Sequence, residues 1–326
     1  MIDEGRGGGS SADHFSASGE NRARVRHDGF WTAGGLVVFL IVGLMLFSEG
    51  CSLPAASASD ELTIGYIEWD ENVANSALIA VLAEDELGYE VELERSYLRP
   101  VFEKVSKGEV DAFLDVWMPA HGEVIEEVGG RIQLSEEPWY VGQTEFGLAV
   151  PYYMEDTQSI EDLNSSGAAM ITGIEPGTLL MERIQTRVIP EYDLDLALIE
   201  SSTPVMMSEL EKAYARKEPF VFLAWSPHWM NVNYDFHYLE DPKHTMDEIV
   251  RPSKLHNAYR VGLEEDDPVA YALMDSMRLD KKQTSEIELL IRREGSAKDG
   301  ARLWVSENPE VVQPWLDAAV AAGGTS

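Results

Sequence analysis

The sequence is poor in cysteine and in positive charge. A single cysteine, Cys51, stands among 326 residues, so no disulfide can form within the chain and the fold depends on its core. Lys and Arg number 25 against 58 Asp and Glu, which gives a formal net charge of -33. A surface of that charge repels phosphate backbones, which argues against nucleic acid as a partner.

Catalytic and metal-binding motifs are also missing. The sequence has no G-x-S-x-G turn, no H-E-x-x-H pair and no phosphate-binding loop. His121-Gly122-Glu123 has the H-x-E pattern of zinc deaminases, but the cysteine ligands of such a site are absent. We therefore expect no catalytic residues, no metal and no cofactor, and we do not expect an enzyme.

A long apolar run near the N-terminus is the first informative feature that is present. Residues 30–47 are uncharged and just long enough to span a bilayer, with arginines before them and Glu49 after them. The positive-inside rule then predicts that everything after Cys51 lies outside the cytoplasm. Gly50-Cys51 resembles a lipobox, whose cysteine receives a lipid, although Ser48 and Glu49 are not typical of one.

Three outcomes stay open for this segment: a lipid anchor at Cys51, an uncleaved membrane helix, or free secretion. In the first two, the folded part is held at the extracytoplasmic face of the cell membrane. Residues 1–28 are polar and rich in Gly and Ser, which predicts a disordered cytoplasmic tail or the start of a signal. Residues 29–51 form the predicted membrane segment or lipoprotein signal, and residues 52–60 are a tether of small residues.

Beyond the tether, strand-like runs alternate with helical patterns, which predicts an α/β fold of two lobes with a ligand cleft between them. Each lobe is expected to hold a small, mostly parallel sheet flanked by helices. We assign residues 61–150 to the first lobe, 151–245 to the second, and 246–326 to a helical return to the first lobe. A hinge is expected near Val150 and Pro151, where the proline ends a strand.

Three of the predicted strands end at or next to a tryptophan: Trp69, Trp117 and Trp225. In open α/β sheets, ligands bind at the carboxyl ends of strands. A quaternary ammonium ion has no N–H to donate, so aromatic faces must hold it, at roughly 0.5–2 kcal/mol per contact. A single tryptophan is more often part of the core, and we interpret Trp304 and Trp315 in that way. The three strand-end residues together predict an indole cage.

Candidate groups for a carboxylate lie close to two of these strands. The predicted helix after Gly177 begins with the amides of Thr178, Leu179 and Leu180, which could bind an anion. His121 follows Trp117 by four residues and could donate from a ring nitrogen. Every helix has such amides and a lone histidine is commonly structural, so each signal is weak by itself. With the cage, they predict a small zwitterionic ligand.

The segments YIEWDENVANS, LGYEVE, GEVDAFLDVWMPAH, GLAVPYYM, SIEDL, ITGIEPGT, KEPFVFLAWSPHWM and YLEDPK occur in this order. With them, the chain from about Leu62 to about Leu316 resembles the glycine betaine/proline betaine substrate-binding proteins of ABC transporters. The resemblance implies a two-lobed periplasmic-binding-protein fold, type II-like, that closes on its ligand. It also implies an indole cage and carboxylate capture at the positions named above.

Two departures from the family pattern concern the carboxylate end. The family usually has a Gly-Ile pair after the PG[AS] turn, whereas this chain has Leu179-Leu180, which leaves the amides but adds bulk. The spacing from Trp117 to His121 is also one residue shorter than in some relatives.

The implied function is that of an extracytoplasmic receptor that hands glycine betaine or proline betaine to an ABC permease, for osmoprotectant uptake. A choline or carnitine receptor of the same class is an alternative, because the cage recognises only the ammonium end of the ligand. In a choline receptor, Asp70 or Asp115 would face the hydroxyl group of choline. An enzyme acting on trimethylammonium compounds is disfavoured by the missing catalytic motifs. A sensory ectodomain is disfavoured by the short N-terminal tail.

Overall fold

Two β-sheets flanked by helices make up the part of the protein that the structure describes. The structure is a computed structural model and describes residues 61–324. Cys51, the apolar run over residues 30–47 and the predicted tether lie outside the described residues. Within residues 61–324, no helix combines the length and the hydrophobicity needed to cross a bilayer. The membrane segment and the lipid anchor therefore stay predictions.

The strands of residues 61–324 form two five-stranded sheets and one two-stranded pair. In chain order they are β1 (Glu61–Tyr66), β2 (Glu90–Arg95), β3 (Ala112–Met118), β4 (Ile132–Leu134), β5 (Tyr140–Val141), β6 (Glu145–Pro151), β7 (Met170–Thr172), β8 (Ala197–Ile199), β9 (Val221–Ser226), β10 (Phe236–Tyr238), β11 (Lys254–Arg260) and β12 (Leu279–Asp280). The first sheet has the order β2-β1-β3-β11-β4 and the second the order β10-β6-β9-β7-β8. Each sheet is the centre of one lobe.

Strand directions are more mixed than the mostly parallel sheets that we expected. In the first sheet β1 runs parallel to β2 and β3, but β11 runs antiparallel to β3 and β4. In the second sheet β7 runs parallel to β8 and β9, but β6 runs antiparallel to β9 and β10. The chain reaches β6 and β11 from the other lobe and not through a helical crossover, so nothing forces them to be parallel.

The helices are mostly short and lie beside the sheets. In chain order they are α1 (Asp70–Leu82), α2 (Leu98–Lys107), α3 (Gly122–Glu127), α4 (Leu179–Arg183), α5 (Ile189–Tyr192), α6 (Thr203–Arg216), α7 (Met230–Asn233), α8 (Leu263–Asp266), α9 (Pro268–Ser276), α10 (Lys281–Glu294), α11 (Ala297–Glu307) and α12 (Pro309–Gly323). A π-helical turn, Ala83–Leu87, extends α1, and another, Ile184–Val188, joins α4 to α5; a 3-10 helix covers Ile160–Ser165.

The chain crosses between the lobes earlier than predicted. We expected the hinge near Val150 and Pro151, at the end of the first lobe. Strand β6 pairs with β9 and β10, so all of it belongs to the second sheet and the crossing precedes Glu145. The return crossing lies between β10 and β11. We expected the returning segment, residues 246–326, to be helical. It also contains strand β11, which joins the first sheet.

Two buried strands and one helix terminus position the site. Strand β3 is buried from Ala112 to Trp117, and β9 is buried along its whole length. Helix α1 begins directly after Trp69, and α10 and α11 pack against it. Trp304 and Trp315 are buried in the core, as we interpreted them. The two lobes thus meet where Trp69, the end of β3 and the end of β9 come together.

Candidate ligand-binding site

One cavity of about 60 Å³ lies between the two lobes. All of the ligand-binding residues predicted from the sequence line it: Trp69, Trp117, His121, Thr178, Leu179, Leu180 and Trp225. The three indoles are 5–6% exposed, and they come from both lobes, since β3 belongs to the first sheet and β9 to the second. The structure therefore brings together residues that lie up to about 150 positions apart in sequence.

A fourth aromatic ring, which we did not predict, lies in the cavity wall. Phe146 on β6 pairs in register with Trp225 and packs edge-on against Trp117, with 5.6 Å between ring centroids. The ring of Phe146 therefore supports the indole of Trp117 from the opposite lobe. Its only sequence signal was its place at the start of a strand, and that signal does not distinguish a site residue from a core residue.

His121 is a neutral hydrogen-bond donor in this setting. Its Nδ1 accepts the backbone N–H of Trp117 at 3.1 Å, and burial lowers the pKa of His121 to about 3. An uncharged imidazole carries one proton, and with Nδ1 accepting, that proton sits on Nε2. His121 can therefore donate one hydrogen bond to a carboxylate without bringing a positive charge.

Two further donors in the cavity wall lack partners. The ring N–H of Trp69 and the hydroxyl of Thr178 are buried, and neither has a hydrogen-bond partner within residues 61–324. A buried donor without an acceptor is costly, at about 1–3 kcal/mol. Thr178 directly precedes α4 and is extended, so the amides of Leu179 and Leu180 begin that helix. These groups offer hydrogen bonds to a ligand that carries acceptors.

Glu71 is a site residue that sequence reasoning missed. It lines the cavity, and its Oε2 accepts the Nε1–H of Trp225 at 2.8 Å, across the two lobes. Burial, followed by the nearby carboxyl groups of Asp115 and Glu288, raises the pKa of Glu71 well above its usual value. Acidic residues in the first turn of a helix are usually exposed, so the sequence gave no sign of this burial.

Two more buried carboxyl groups stand behind Glu71. Burial raises the pKa of Asp115 on β3 to about 7, although the side chains of Trp117 and Glu71 act to lower it. Neither of those side chains makes a hydrogen bond of ordinary geometry to the Asp115 oxygens. Burial, and then the charges of Asp70 and Asp115, raise the pKa of Glu288 on α10.

Asp70 forms a second contact between the lobes. Its carboxylate lies 2.9 Å from His228 Nε2 and accepts the Nε1–H of Trp229 at 3.1 Å. Burial by itself would raise the pKa of Asp70, but His228, Trp229 and Arg292 outweigh it and the pKa is lowered. Neither Asp70 nor Asp115, our candidates for a choline hydroxyl, lines the cavity.

An ion pair joins the lobes beside the cavity. Arg99 on α2 contacts Glu182 on α4 at 2.7 Å and Glu127 on α3 at 3.2 Å. These side chains are about one-third to one-half exposed. Within residues 61–324, no group of three or more His, Cys, Asp or Glu side chains is arranged to hold a metal ion.

Comparison with known proteins gives consistent results. Residues 60–307 match the family described as the substrate binding domain of the ABC-type glycine betaine transport system. The glycine betaine/carnitine transport binding protein GbuC of Listeria monocytogenes is 34% identical over 167 residues, which are 50% of this chain. The match spans only about half (54%) of that protein.

Solved structures support the same assignment. Lactococcal OpuAC, in its closed conformation with glycine betaine, is 29% identical with a TM-score of 0.70, and the alignment covers 79% of this chain and 100% of that one. The glycine betaine, L-proline-binding protein ProX of Borrelia burgdorferi shares the fold, with 24% identity, a TM-score of 0.71 and coverage of 80% and 99%. The predicted two-lobed binding-protein fold is confirmed. The family match covers most of the chain, and this chain therefore belongs to the family of substrate-binding domains of ABC-type glycine betaine transport systems.

Proposed function

We propose that this protein binds glycine betaine in the cavity between its lobes and delivers it to the permease of an ABC importer for osmoprotectant uptake. The observation that carries the proposal is the meeting of three buried indoles from two lobes, Trp69, Trp117 and Trp225, around one cavity. Membership of the family supports a transport role. The proposal assigns no covalent chemistry to the protein.

The indoles suit the ammonium end of the ligand. A trimethylammonium group cannot donate a hydrogen bond, and each desolvated indole face contributes roughly 0.5–2 kcal/mol. Three faces supply several kcal/mol, whereas micromolar affinity requires about 8 kcal/mol in total. The cage therefore needs a second set of contacts at the other end of the ligand.

The unpartnered donors suit the carboxylate end. The Nε2–H of His121, the Thr178 hydroxyl and the ring N–H of Trp69 all belong to the cavity wall. The amides of Leu179 and Leu180 add backbone donors, and the bulk of these leucines forms apolar wall. Hydrogen bonds to a charged acceptor are worth about 1.5–3 kcal/mol each, so two of them complete a micromolar affinity.

Carnitine is the second candidate ligand. It also carries a trimethylammonium group and a carboxylate, and the Listeria relative is described as a glycine betaine/carnitine binding protein. Choline has less support, because it lacks the carboxylate for which the wall offers donors.

We also propose that the folded part stands at the extracytoplasmic face of the membrane. The support is the apolar run before Cys51 and the family's role in import. Mass spectrometry of the mature protein tests the anchor: a lipid on Cys51 supports lipidation, an intact segment over residues 30–47 supports a retained helix, and cleavage without a lipid contradicts both.

The ligand is tested by titrating the purified full chain with glycine betaine, proline betaine, carnitine, choline and proline. Tryptophan fluorescence and calorimetric heat are followed together. We expect the betaines to bind most tightly and proline, which has no quaternary ammonium group, to bind much more weakly. If no quaternary ammonium compound binds below roughly millimolar concentration, the proposal is refuted.

A further inference from the structure

The buried carboxyl groups beside the cage have no part in the function proposed above. Glu71 contacts the cage directly, because it lines the cavity and accepts the Nε1–H of Trp225. Glu71 belongs to α1 on the first lobe, whereas Trp225 belongs to β9 in the second sheet. This hydrogen bond therefore fixes the orientation of one cage indole from the opposite lobe.

Asp115 is a second buried carboxyl beside these residues, and its oxygens have no hydrogen-bond partner within residues 61–324. It is fully buried on β3, two residues before Trp117, and the side chains of Trp117 and Glu71 both act on its ionisation. The indole of Trp225 donates its ring N–H to Glu71, and an anion in that position polarises the ring so that its face becomes more negative. A more negative face attracts a cation more strongly, since the cation–π interaction is electrostatic.

We propose that Glu71 positions the indole of Trp225, and that Glu71 and Asp115 form a buried carboxyl pair that supplies negative charge beside the cage when a cation occupies it. The inference rests on the proposed function, because it requires a quaternary ammonium ligand. It makes Glu71 a positioning residue that acts on the ligand through the indole of Trp225, with Asp115 as the second carboxyl of the pair.

The surroundings of the pair determine how it ionises. Glu71 on α1 faces Asp115 on β3 and Glu288 on α10, and all three groups are carboxyls. Farther along the same network, Asp70 is held by His228 and Arg292. Burial raises the pKa values of both carboxyls, and the charges of Asp115 and Glu288 raise that of Glu71 further. The empty cage therefore retains a proton that a buried cation would help to expel.

A pH dependence of binding follows from this linkage. The carboxyl groups of the pair have raised pKa values, and a bound cation lowers them, so binding releases protons. Affinity therefore rises as the pH increases through the range around 7, where Asp115 titrates, and falls as the pH decreases. His121, with a pKa of about 3, titrates below this range. A shift of one pKa unit corresponds to about tenfold in affinity.

The test is calorimetric titration of the full chain with glycine betaine and with tetramethylammonium, from about pH 5.5 to about pH 8.5. For the wild type, we expect affinity to increase by about threefold to tenfold over this range for both ligands. Repeating the titration in buffers of different ionisation enthalpy counts the protons released. Because tetramethylammonium has no carboxylate, a shared pH slope assigns the effect to the ammonium end.

Variants locate the effect. The double variant Glu71→Gln, Asp115→Asn keeps an acceptor for the Trp225 N–H but cannot ionise, so its affinity should fall about tenfold near pH 8 and lose its pH slope. The control variant Asp275→Asn removes a partly buried carboxyl that accepts from Tyr259 outside the cavity, and should behave like the wild type.

Two results would overturn the inference: no proton release by the wild type near pH 7, or an unchanged pH slope in the double variant. The number of protons released on binding is measured on the wild type. It therefore tests the inference even if the double variant does not fold. Absence of betaine binding by the wild type at every pH would instead refute the proposed function, and with it this inference.

Discussion

Replacing Trp225 by Phe tests the cage and its hydrogen bond together. Phe keeps an aromatic face in the cavity, but it lacks the N–H that donates to Glu71 at 2.8 Å. Glu71 is buried, so its Oε2 would lose this donor without gaining water.

The expected loss has two parts. A hydrogen bond to a buried carboxyl contributes about 0.5–1.5 kcal/mol when the acceptor is neutral and up to about 3 kcal/mol when it is charged. Exchange of an indole face for a phenyl face costs a few tenths of a kcal/mol to about 1 kcal/mol. The sum, about 1–4 kcal/mol, corresponds to an increase in the Kd for glycine betaine of roughly fivefold to several hundredfold.

The matched control is Trp229→Phe. Trp229 also donates its ring N–H to a carboxylate of the other lobe, that of the partly buried Asp70 at 3.1 Å, but Trp229 does not line the cavity. Loss of that contact weakens lobe closure without altering the cage. Calorimetry with glycine betaine and tetramethylammonium should therefore show a larger loss of affinity for Trp225→Phe than for Trp229→Phe. Equal losses would mean that Trp225 acts only as a link between the lobes, and the cage would be refuted.

Three further predictions concern the rest of the site. His121→Phe should weaken glycine betaine binding by about 1.5–3 kcal/mol and leave tetramethylammonium binding nearly unchanged, as measured by calorimetry; an equal loss for both ligands would contradict a role at the carboxylate end. Arg99→Ala removes a partly exposed ion pair to Glu182, so affinity should fall by less than about fivefold, and an effect that persists at high salt would contradict this assignment. Glu288→Gln should raise the melting temperature near pH 8 by roughly 2–4 °C for each 1 kcal/mol of stability gained, and by less near pH 5. The reason is that a carboxyl whose pKa is raised in the folded state destabilises the fold as the pH rises. Equal shifts of the melting temperature at both pH values would contradict a raised pKa.

The meeting of the three tryptophans at one cavity could be predicted because their signals are local. Trp117 and Trp225 each follow a run of apolar residues that forms a buried strand, and the carboxyl ends of such strands meet at a cleft. His121 stands one turn beyond Trp117, so its place in the cavity follows from the same strand. The α/β fold was accessible for a similar reason, since alternating strand and helix patterns are read within short windows.

The carboxyl groups behind the cage could not be predicted, because their burial depends on distant segments. Glu71 lies in an acidic stretch at the start of α1, where a solvated position is the usual outcome. It is buried by Trp225 from β9 and approached by Glu288 from α10, which lie more than 150 residues farther along the chain.

Strand direction was unpredictable for a related reason. Strand β11 has the sequence KLHNAYR, in which polar residues obscure the alternation, and its antiparallel pairing depends on a crossing from the other lobe. The direction of β6 also depends on a crossing from the other lobe. Because β6 pairs with β9 and β10, that crossing lies before Glu145.

Three consecutive residues at the start of α1 serve two purposes at once. Trp69 lines the cavity, while Asp70 and Glu71 hold the second lobe through Trp229 and Trp225. A substitution at these three residues that alters which ligand fits is therefore expected to alter the closure of the two lobes in the absence of ligand as well. In a fluorescent biosensor made from this protein, the ligand selectivity and the size of the fluorescence change would therefore both depend on this helix terminus. Insertion of one residue there would impair both properties.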